Sequence, residues 1–462
     1  VLGTTSITAG SVVSGAGGTI AMGANALSIT ADAISLGANI SGTSTLTIAP
    51  RTASTTIGLA GGAGDLNLTS AELDYLQNGF SSITIGSASA TGKITIGAYT
   101  FNDSLTLING GATSNGGMQF TGAVSVLGGT GGTTNTLTLN TRGTVTQDSG
   151  ANITAAGLQL LGTSGTFTLE NTGNAIATLA GNTGTVSFGE NGDFAIGTVG
   201  ATTGITTSGN LTLSTDGTVT QSQNIAASGL RLLGTGTYTL SRTSNSISTL
   251  AANTGTLTFA QNTTYTIGTV TTVGITTTGN LSLSGTAGYT LAQNITTGSG
   301  TQTYTGPITL STGAITLTST DANITFSGST TTINGAQALT VNAGSGTVVF
   351  GGIVGGTTAI SSLELQGGGS NTLPSAMTAS GAINLKGTSR TNTLVVATTL
   401  TSNSAGTITL GDTNGEYALS ISNGAGIIDL ANIGSTSNLA SLTLYGTGIN
   451  QLRGNITTTG AI

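Results

Sequence analysis

Short runs in which an apolar residue alternates with threonine recur along the whole chain, and they limit the possible folds more than any other feature. Leu46-Thr47-Ile48, Ile83-Thr84-Ile85, Ile94-Thr95-Ile96, Leu105-Thr106-Leu107, Ile315-Thr316-Leu317 and Ile408-Thr409-Leu410 are examples. In a strand successive side chains point to opposite faces, so such runs bury one face and leave the other to polar, β-branched residues. Clusters of Gly, Asn and Ser separate the runs, as turns require. A Gly/Ser-rich chain without this patterning would be a flexible linker; the placement of the apolar residues excludes that.

The charge content narrows the choice of β fold. Only 5% of the 462 residues are charged, against about 25% in ordinary domains. When like strands stack in parallel, equivalent residues lie about 4.8 Å apart. A column of one charged residue type would then repel itself, whereas Thr and Asn columns can hydrogen-bond from coil to coil. One coil cannot bury its own apolar face; stacking makes the core continuous. The expected fold is therefore all-β, a parallel β-helix (β-solenoid) of roughly 20–25 coils, each of roughly 20 residues with two or three short strands. Residues 1–462 are expected to form one continuous solenoid, on the order of 100 Å long at about 4.8 Å per coil.

The chain also repeats itself. Leu137–Asn210 aligns with Leu211–Asn280, and a partial third copy covers 281–300. Gly143-Thr144-Val145-Thr146-Gln147 matches Gly217-Thr218-Val219-Thr220-Gln221, and Leu158-Gln159-Leu160-Leu161-Gly162-Thr163 matches Leu230-Arg231-Leu232-Leu233-Gly234-Thr235. The offset between copies falls from 74 to 70, each loss lying in a Gly/Ser/Asn/Ala-rich stretch such as Ser149-Gly150, where outward-pointing turns tolerate deletion. The aromatic pairs Phe167/Tyr238, Phe188/Phe259 and Phe194/Tyr265 recur at equivalent places. They read as stacked core filling, with a sugar-binding platform as the other use of such rings. One helix stands out. Thr69-Ser70-Ala71-Glu72 has the form of a capping box, Leu73 and Leu76 share a face, and Asn78-Gly79 ends the turn, so a short helical insertion is expected near residues 70–77.

The chemistry available is narrow. With no His and no Cys, the commonest general base, thiol nucleophile and transition-metal ligands are missing, and a Ser/His/Asp arrangement is impossible. No disulfide framework can form, which is compatible with export to an oxidising compartment. Carboxylate pairs remain. Glu72 and Asp74 stand two apart on the expected helix and so face different ways. Glu190/Asp193 and Asp412/Glu416 bracket Gly- and Asn-containing turns and read as solvated. A glycosidase pair needs two carboxyls about 5–10 Å apart in a groove. The basic residues Arg142, Arg231, Arg242, Lys386 and Arg390 are dispersed and the formal net charge is −7, so no basic groove is offered to nucleic acid. Gly61-Gly62-Ala63-Gly64-Asp65-Leu66 is similar to a calcium-binding β-roll nonapeptide but is one residue short and not tandem, so it reads as a turn. There is no EF-hand loop and no phosphate-binding Gly loop with its Lys. Sequons such as Asn67-Leu68-Thr69, Asn152-Ile153-Thr154 and Asn210-Leu211-Thr212 arise by chance in a chain this rich in Asn and Thr. No run approaches the about 18 apolar residues of a membrane span. The start at Val1-Leu2-Gly3 and the end at Gly460-Ala461-Ile462 both interrupt the pattern, so a piece of a longer chain is expected. No enzyme is expected, and no catalytic, cofactor-binding or metal residue is nominated.

The segment Leu46-Thr47-Ile48-Ala49-Pro50, Thr56-Ile57-Gly58, Leu66-Asn67-Leu68-Thr69-Ser70-Ala71-Glu72-Leu73 and Asn78-Gly79-Phe80-Ser81-Ser82-Ile83-Thr84-Ile85-Gly86 resembles a stretch common in large filamentous-haemagglutinin-like bacterial surface proteins. The likeness covers about 40 residues; elsewhere only the style is similar. It implies a right-handed coil, export by two-partner secretion and a place on the bacterial cell surface. The secretion domain of that family carries Asn-Pro-Asn motifs. The three prolines here are Pro50, Pro307 and Pro374, so this chain resembles the downstream shaft. The expected function is that of a rigid spacer in a secreted adhesin. Expected partners are copies of itself or adjoining segments of one long chain, and glycans or host and neighbour cell surfaces. Three alternatives stay open. Unpaired strand edges at the ends would suit a self-assembling extracellular fibre or surface layer. Polysaccharide-cleaving enzymes also use β-helices. Rows built on Thr276-Thr277-Thr278 and Thr330-Thr331-Thr332 would suit ice binding.

Overall fold

A computed structural model describes residues 4–111, 116–128 and 134–462; the opening Val1-Leu2-Gly3 lies outside them. The chain divides into two compact units, Val1–Leu233 and Gly234–Ile462. Each is a parallel β-solenoid, with about 20 turns in all and almost no helix.

In the first unit the alternating runs become columns. Leu27, Leu46, Ile83, Leu105, Leu137, Leu158 and Leu179 stack in register, each on the strand below. Two residues on, Ile29, Ile48, Ile85, Leu107, Leu139 and Leu160 form a second buried column. Between them an outward column runs Ser28, Thr47, Thr84, Thr106, Thr138, Gln159. A one-residue slip inside a strand would exchange inward and outward columns, so changes in length are confined to places outside the ladder.

The two long sequence copies obey that rule. The first loss falls in the turn 148–152, and the second at a register shift between Gly162 and Thr166. The third is at the tip of a small antiparallel hairpin. In the first copy Thr198–Val199 pairs with Thr202–Thr203 around Gly200-Ala201. In the second Thr269–Val270 pairs with Thr272–Val273 around Thr271 alone, at φ 62°.

The recurring aromatics are core residues. Phe188 meets Phe194 edge-on at 5.4 Å and Phe259 meets Tyr265 the same way at 5.2 Å. In the second unit Tyr304, Phe326 and Phe350 occupy successive strands and stack at 5.2 and 5.0 Å, the offset arrangement that aromatic quadrupoles favour.

Threonine does more than coat the outside. At the corners it turns inward and its hydroxyl caps main-chain carbonyls: Thr183 donates to Gly162 O (2.7 Å), Thr254 to Gly236 O (3.1 Å), Thr277 to Gly279 O (2.8 Å) and Thr297 to Gly300 O (2.8 Å). These four are buried. Buried corner carbonyls need such partners.

The second unit also holds a pair of copies that the alternating runs do not reveal. Residues 333–373 and 413–452 share Asn334-Gly335 with Asn414-Gly415, Ala338-Leu339 with Ala418-Leu419, and Gly344, Gly355 and Gly367 with Gly424, Gly434 and Gly446. The backbone agrees: φ is 117° at Gly335 and 134° at Gly415, 56° at Gly344 and 57° at Gly424, 71° at both Gly355 and Gly434.

Candidate functional site

The segment that carries the family resemblance departs furthest from a plain coil. The strand Ile57–Leu59 pairs in parallel with Leu66–Leu68, Ile57 opposite Leu66. Parallel neighbours ordinarily need a crossover of about a dozen residues or more; here residues 60–65 suffice. Glycine makes that possible. A Cβ on Gly58 would lie 2.2 Å from Gly62 O, one on Gly62 2.1 Å from Thr95 O, and one on Gly64 2.0 Å from the Gly58 nitrogen. The Gly61–Asp65 run is thus a sterically required return loop. Asp65 fastens its base, accepting from the Thr56 hydroxyl (2.9 Å) and donating its N–H back to that oxygen (3.0 Å).

The helix follows at once, and its capping box is present: the Glu72 N–H donates to Thr69 Oγ1 and the Thr69 N–H to Glu72 Oε2 (2.9 Å). It spans only Ser70–Leu73, shorter than the expected 70–77. The reason is that Leu76 leaves the helix to form a parallel bridge with Ile40. Three carboxylates tie the insertion to the solenoid. Glu72 Oε1 accepts from the Leu36 N–H (3.2 Å), Asp74 from the Tyr99 hydroxyl (3.0 Å), and Asp103 from the Gly79 N–H (3.0 Å). Burial works to raise the Glu72 carboxyl, but the bonds from Thr69 and Leu36 outweigh it and hold it below its ordinary range. Burial pushes Asp103 up against the pull of the Gly79 and Phe80 amides, and burial beside Asp74 pushes the Tyr99 phenol up.

The carboxylate pairs separate in space or in role. Glu72 and Asp74 bond to different elements, as their spacing predicts. Glu190 is not solvated as its turn suggested. It is 4% exposed and accepts from the Ile176 N–H (3.0 Å), because its carboxyl serves as the acceptor for that inward-facing amide. Burial, with Asp193 nearby, pushes it up to about 7. Asp193 turns instead to the Thr218 N–H (2.6 Å). Asp412 accepts from the Asn432 N–H (3.2 Å) and side-chain amide (3.1 Å), while Glu416 lies exposed in a surface groove.

One of the dispersed basic residues, Arg390, lies inside the solenoid. It is 1% exposed and its guanidinium donates to Gln366 O (2.8 Å), Ser370 O (3.1 Å) and Asn371 Oδ1 (2.9 Å). Burial lowers its pKa. Asn371 continues the chain to Asn392 (2.8 Å) and Asn392 to the Thr413 hydroxyl (3.2 Å), a buried polar ladder running turn to turn. Its sequence signal is slight, a polar residue in place of the apolar one expected on an inward position.

The threonine triplets do not form a repeated face. Thr276 and Thr278 point outward, but in the next turn Thr296, which pairs with Thr276, is followed two residues on by Gly298 and not by a third threonine. Thr330-Thr331-Thr332 is not a strand; the buried Thr331 donates to Ser327 O and accepts from the Gly306 N–H (3.0 Å).

Among the described residues no cluster of three or more His, Cys, Asp or Glu could hold a metal ion, and no helix is long and apolar enough to cross a membrane. No family model, no curated protein and no solved structure matches the chain.

Proposed function

We propose that the chain is a structural shaft segment of a secreted filament at a bacterial cell surface, a stiff spacer that holds an adhesive part away from the cell. The observation that carries this reading is the backbone ladder of each unit, in which turn after turn hydrogen-bonds to its neighbours in register over largely apolar columns. Bending such a stack strains many main-chain bonds together, so it resists bending. The use of acids supports it too: Asp65, Glu72, Asp74, Asp103 and Glu190 are all occupied in holding the chain's own amides or hydroxyls. The resemblance over 46–86 adds the surface-filament context and the two-partner route of export.

Electron microscopy of cells producing the native protein, and of material released from them, tests the reading. Thin separate rods reaching well beyond 100 Å from the surface, on the order expected of many turns at about 4.8 Å each, would support it. Sheets or fibres whose axial repeat matches one chain would replace it with a self-assembling layer subunit. Monomers dispersed in the medium with no surface association would defeat both.

A further inference from the structure

The second pair of copies in the second unit supplies an internal control for what the fold itself requires. In both copies an Asn-Gly pair opens the turn, and the asparagine carbonyl accepts main-chain amides of the following turn. Asn334 Oδ1 accepts from Thr357 N (2.9 Å) and Thr358 N (3.3 Å); Asn414 Oδ1 accepts from Thr436 N (2.9 Å) and Ser437 N (3.4 Å). The two residues that follow differ. The first copy has Ala336-Gln337 and the second has Glu416-Tyr417. Because the same turn is built without them, Glu416 and Tyr417 are not needed to make it.

Neither side chain is used by the protein. Tyr417 is 44% exposed and, like Glu416, its side chain makes no hydrogen bond among the described residues. The asparagine differs as well. Asn334 Nδ2 donates to the Thr332 hydroxyl (3.4 Å), but the second copy has Asp412 at that place, engaged with Asn432, and Asn414 Nδ2 has no partner among the described residues. A fixed amide donor, a free carboxylate acceptor and an open aromatic ring therefore stand within four positions of one turn. All three line one groove of about 410 Å³ that crosses three successive turns, with Thr393 and the exposed Val395 on one side and Thr436 on the other.

We propose that this groove binds a neutral hexopyranose unit of a glycan. A pyranose presents an apolar face of C–H groups and a rim of vicinal hydroxyls. The first matches the ring of Tyr417 with Val395 beside it, and the second matches the Glu416 carboxylate as acceptor and the Asn414 amide as donor. The rarity of charge in this chain gives the carboxylate weight, since Asp65, Glu72, Asp74, Asp103, Glu190, Asp193 and Asp412 all serve the fold. An anionic sugar would meet Glu416 as a like charge, so the site favours neutral units. The groove is shallow and open, which suits weak binding multiplied over many copies rather than tight capture. The proposal does not rest on the spacer reading and would hold equally for a layer subunit.

Affinity electrophoresis of the full chain through gels containing dextran, mannan, galactan or the anionic polymer alginate tests it. At least one neutral polysaccharide should retard the chain, and the matching free monosaccharide should reverse this. The double variant Glu416→Ala/Tyr417→Gln, which copies the Ala336-Gln337 turn, should melt at the wild-type temperature and bind at least about tenfold more weakly, the loss typical of removing a central binding side chain. Tyr417→Ala, a truncation at an exposed position, should do the same. Absence of retardation by every neutral polymer, unchanged retardation of either variant, or alginate binding as strong as any neutral binding would overturn the proposal.

Discussion

The two long copies, 137–210 and 211–280, solve the same buried corner with different chemistry. In the first, the Ile176 N–H is met by Glu190 (3.0 Å); in the second, the equivalent Ile247 N–H is met by Gln261 (2.8 Å), whose amide also donates to Ile247 O (2.9 Å) and Thr264 O (3.3 Å). Gln261 supplies acceptor and donor at every pH. Glu190 has the same shape, but it can supply a donor only while protonated. The difference teaches that this solenoid selects side chains by shape and bonding at the corner, and that a titratable one can be admitted when burial keeps it neutral. Glu190 holds its proton to about 7 in the fold, against an ordinary value of 4.5. The unfolded chain therefore loses the proton first as pH rises. Stability falls between about pH 4.5 and pH 7 and is level above, a cost of up to about 3 kcal/mol at alkaline pH. Asp193 adds to this cost by charge repulsion.

Swapping the two residues gives the largest expected effects. Gln261→Glu puts an ionisable group where nothing is exposed and removes two donated bonds; at pH 8 the second copy should lose about 3–5 kcal/mol, seen as early exchange of the Ile247 amide in native-state hydrogen exchange. Equal protection of that amide at pH 8 and pH 4 would show that the corner is wetter than its burial implies. Glu190→Gln is expected to act in the opposite sense, gaining about 2–3 kcal/mol at pH 8 and close to nothing at pH 4. The reading is a pH series of thermal melts, and a gain that is the same at both pH values would break the comparison.

Smaller effects come from the rings and the corner hydroxyls. Phe194 and Tyr265 are equivalents, both buried, and the Tyr265 hydroxyl has no hydrogen-bond partner among the described residues. Tyr265→Phe should therefore stabilise by about 1 kcal/mol and Phe194→Tyr should cost a similar amount. A loss from Tyr265→Phe in chemical denaturation would mean that the hydroxyl is satisfied. Thr183 and Thr254 cap equivalent carbonyls, Gly165 O (3.3 Å) and Gly236 O (3.1 Å), and Thr183 caps Gly162 O (2.7 Å) as well, so Thr254→Val should cost about 1 kcal/mol and Thr183→Val more. Equal losses would show that the second carbonyl adds nothing to the corner.

Much of the fold was legible in the chain because period-two alternation and the scarcity of charge both point to stacked strands. Leu46-Thr47-Ile48 and Ile83-Thr84-Ile85 do pair in register, and the capping box at Thr69 and Glu72 forms. The Gly61–Asp65 run was legible only as a turn; its tightness depends on Thr95, which reaches it from another strand. The role of Glu416 was hidden because a turn acid reads alike whether it holds the fold or stands free. Only its comparison with Ala336, through a second repeat diluted by substitution, separates the two cases.

What the sequence determined alone is the sort of stack this is. Alternation sets which residues of a run share a face, and that is local geometry with a period of two. What only the tertiary structure decided is the fate of the residues at corners and insertions. Arg390, Glu190 and Thr277 all lie outside the alternating apolar set, yet each is buried. A corner's inside is defined by carbonyls contributed from neighbouring turns far away in sequence, such as Gln366 and Gly344 for Arg390, 24 and 46 residues back. No local pattern encodes that convergence, so the identity of the buried polar groups emerges only once the turns are stacked.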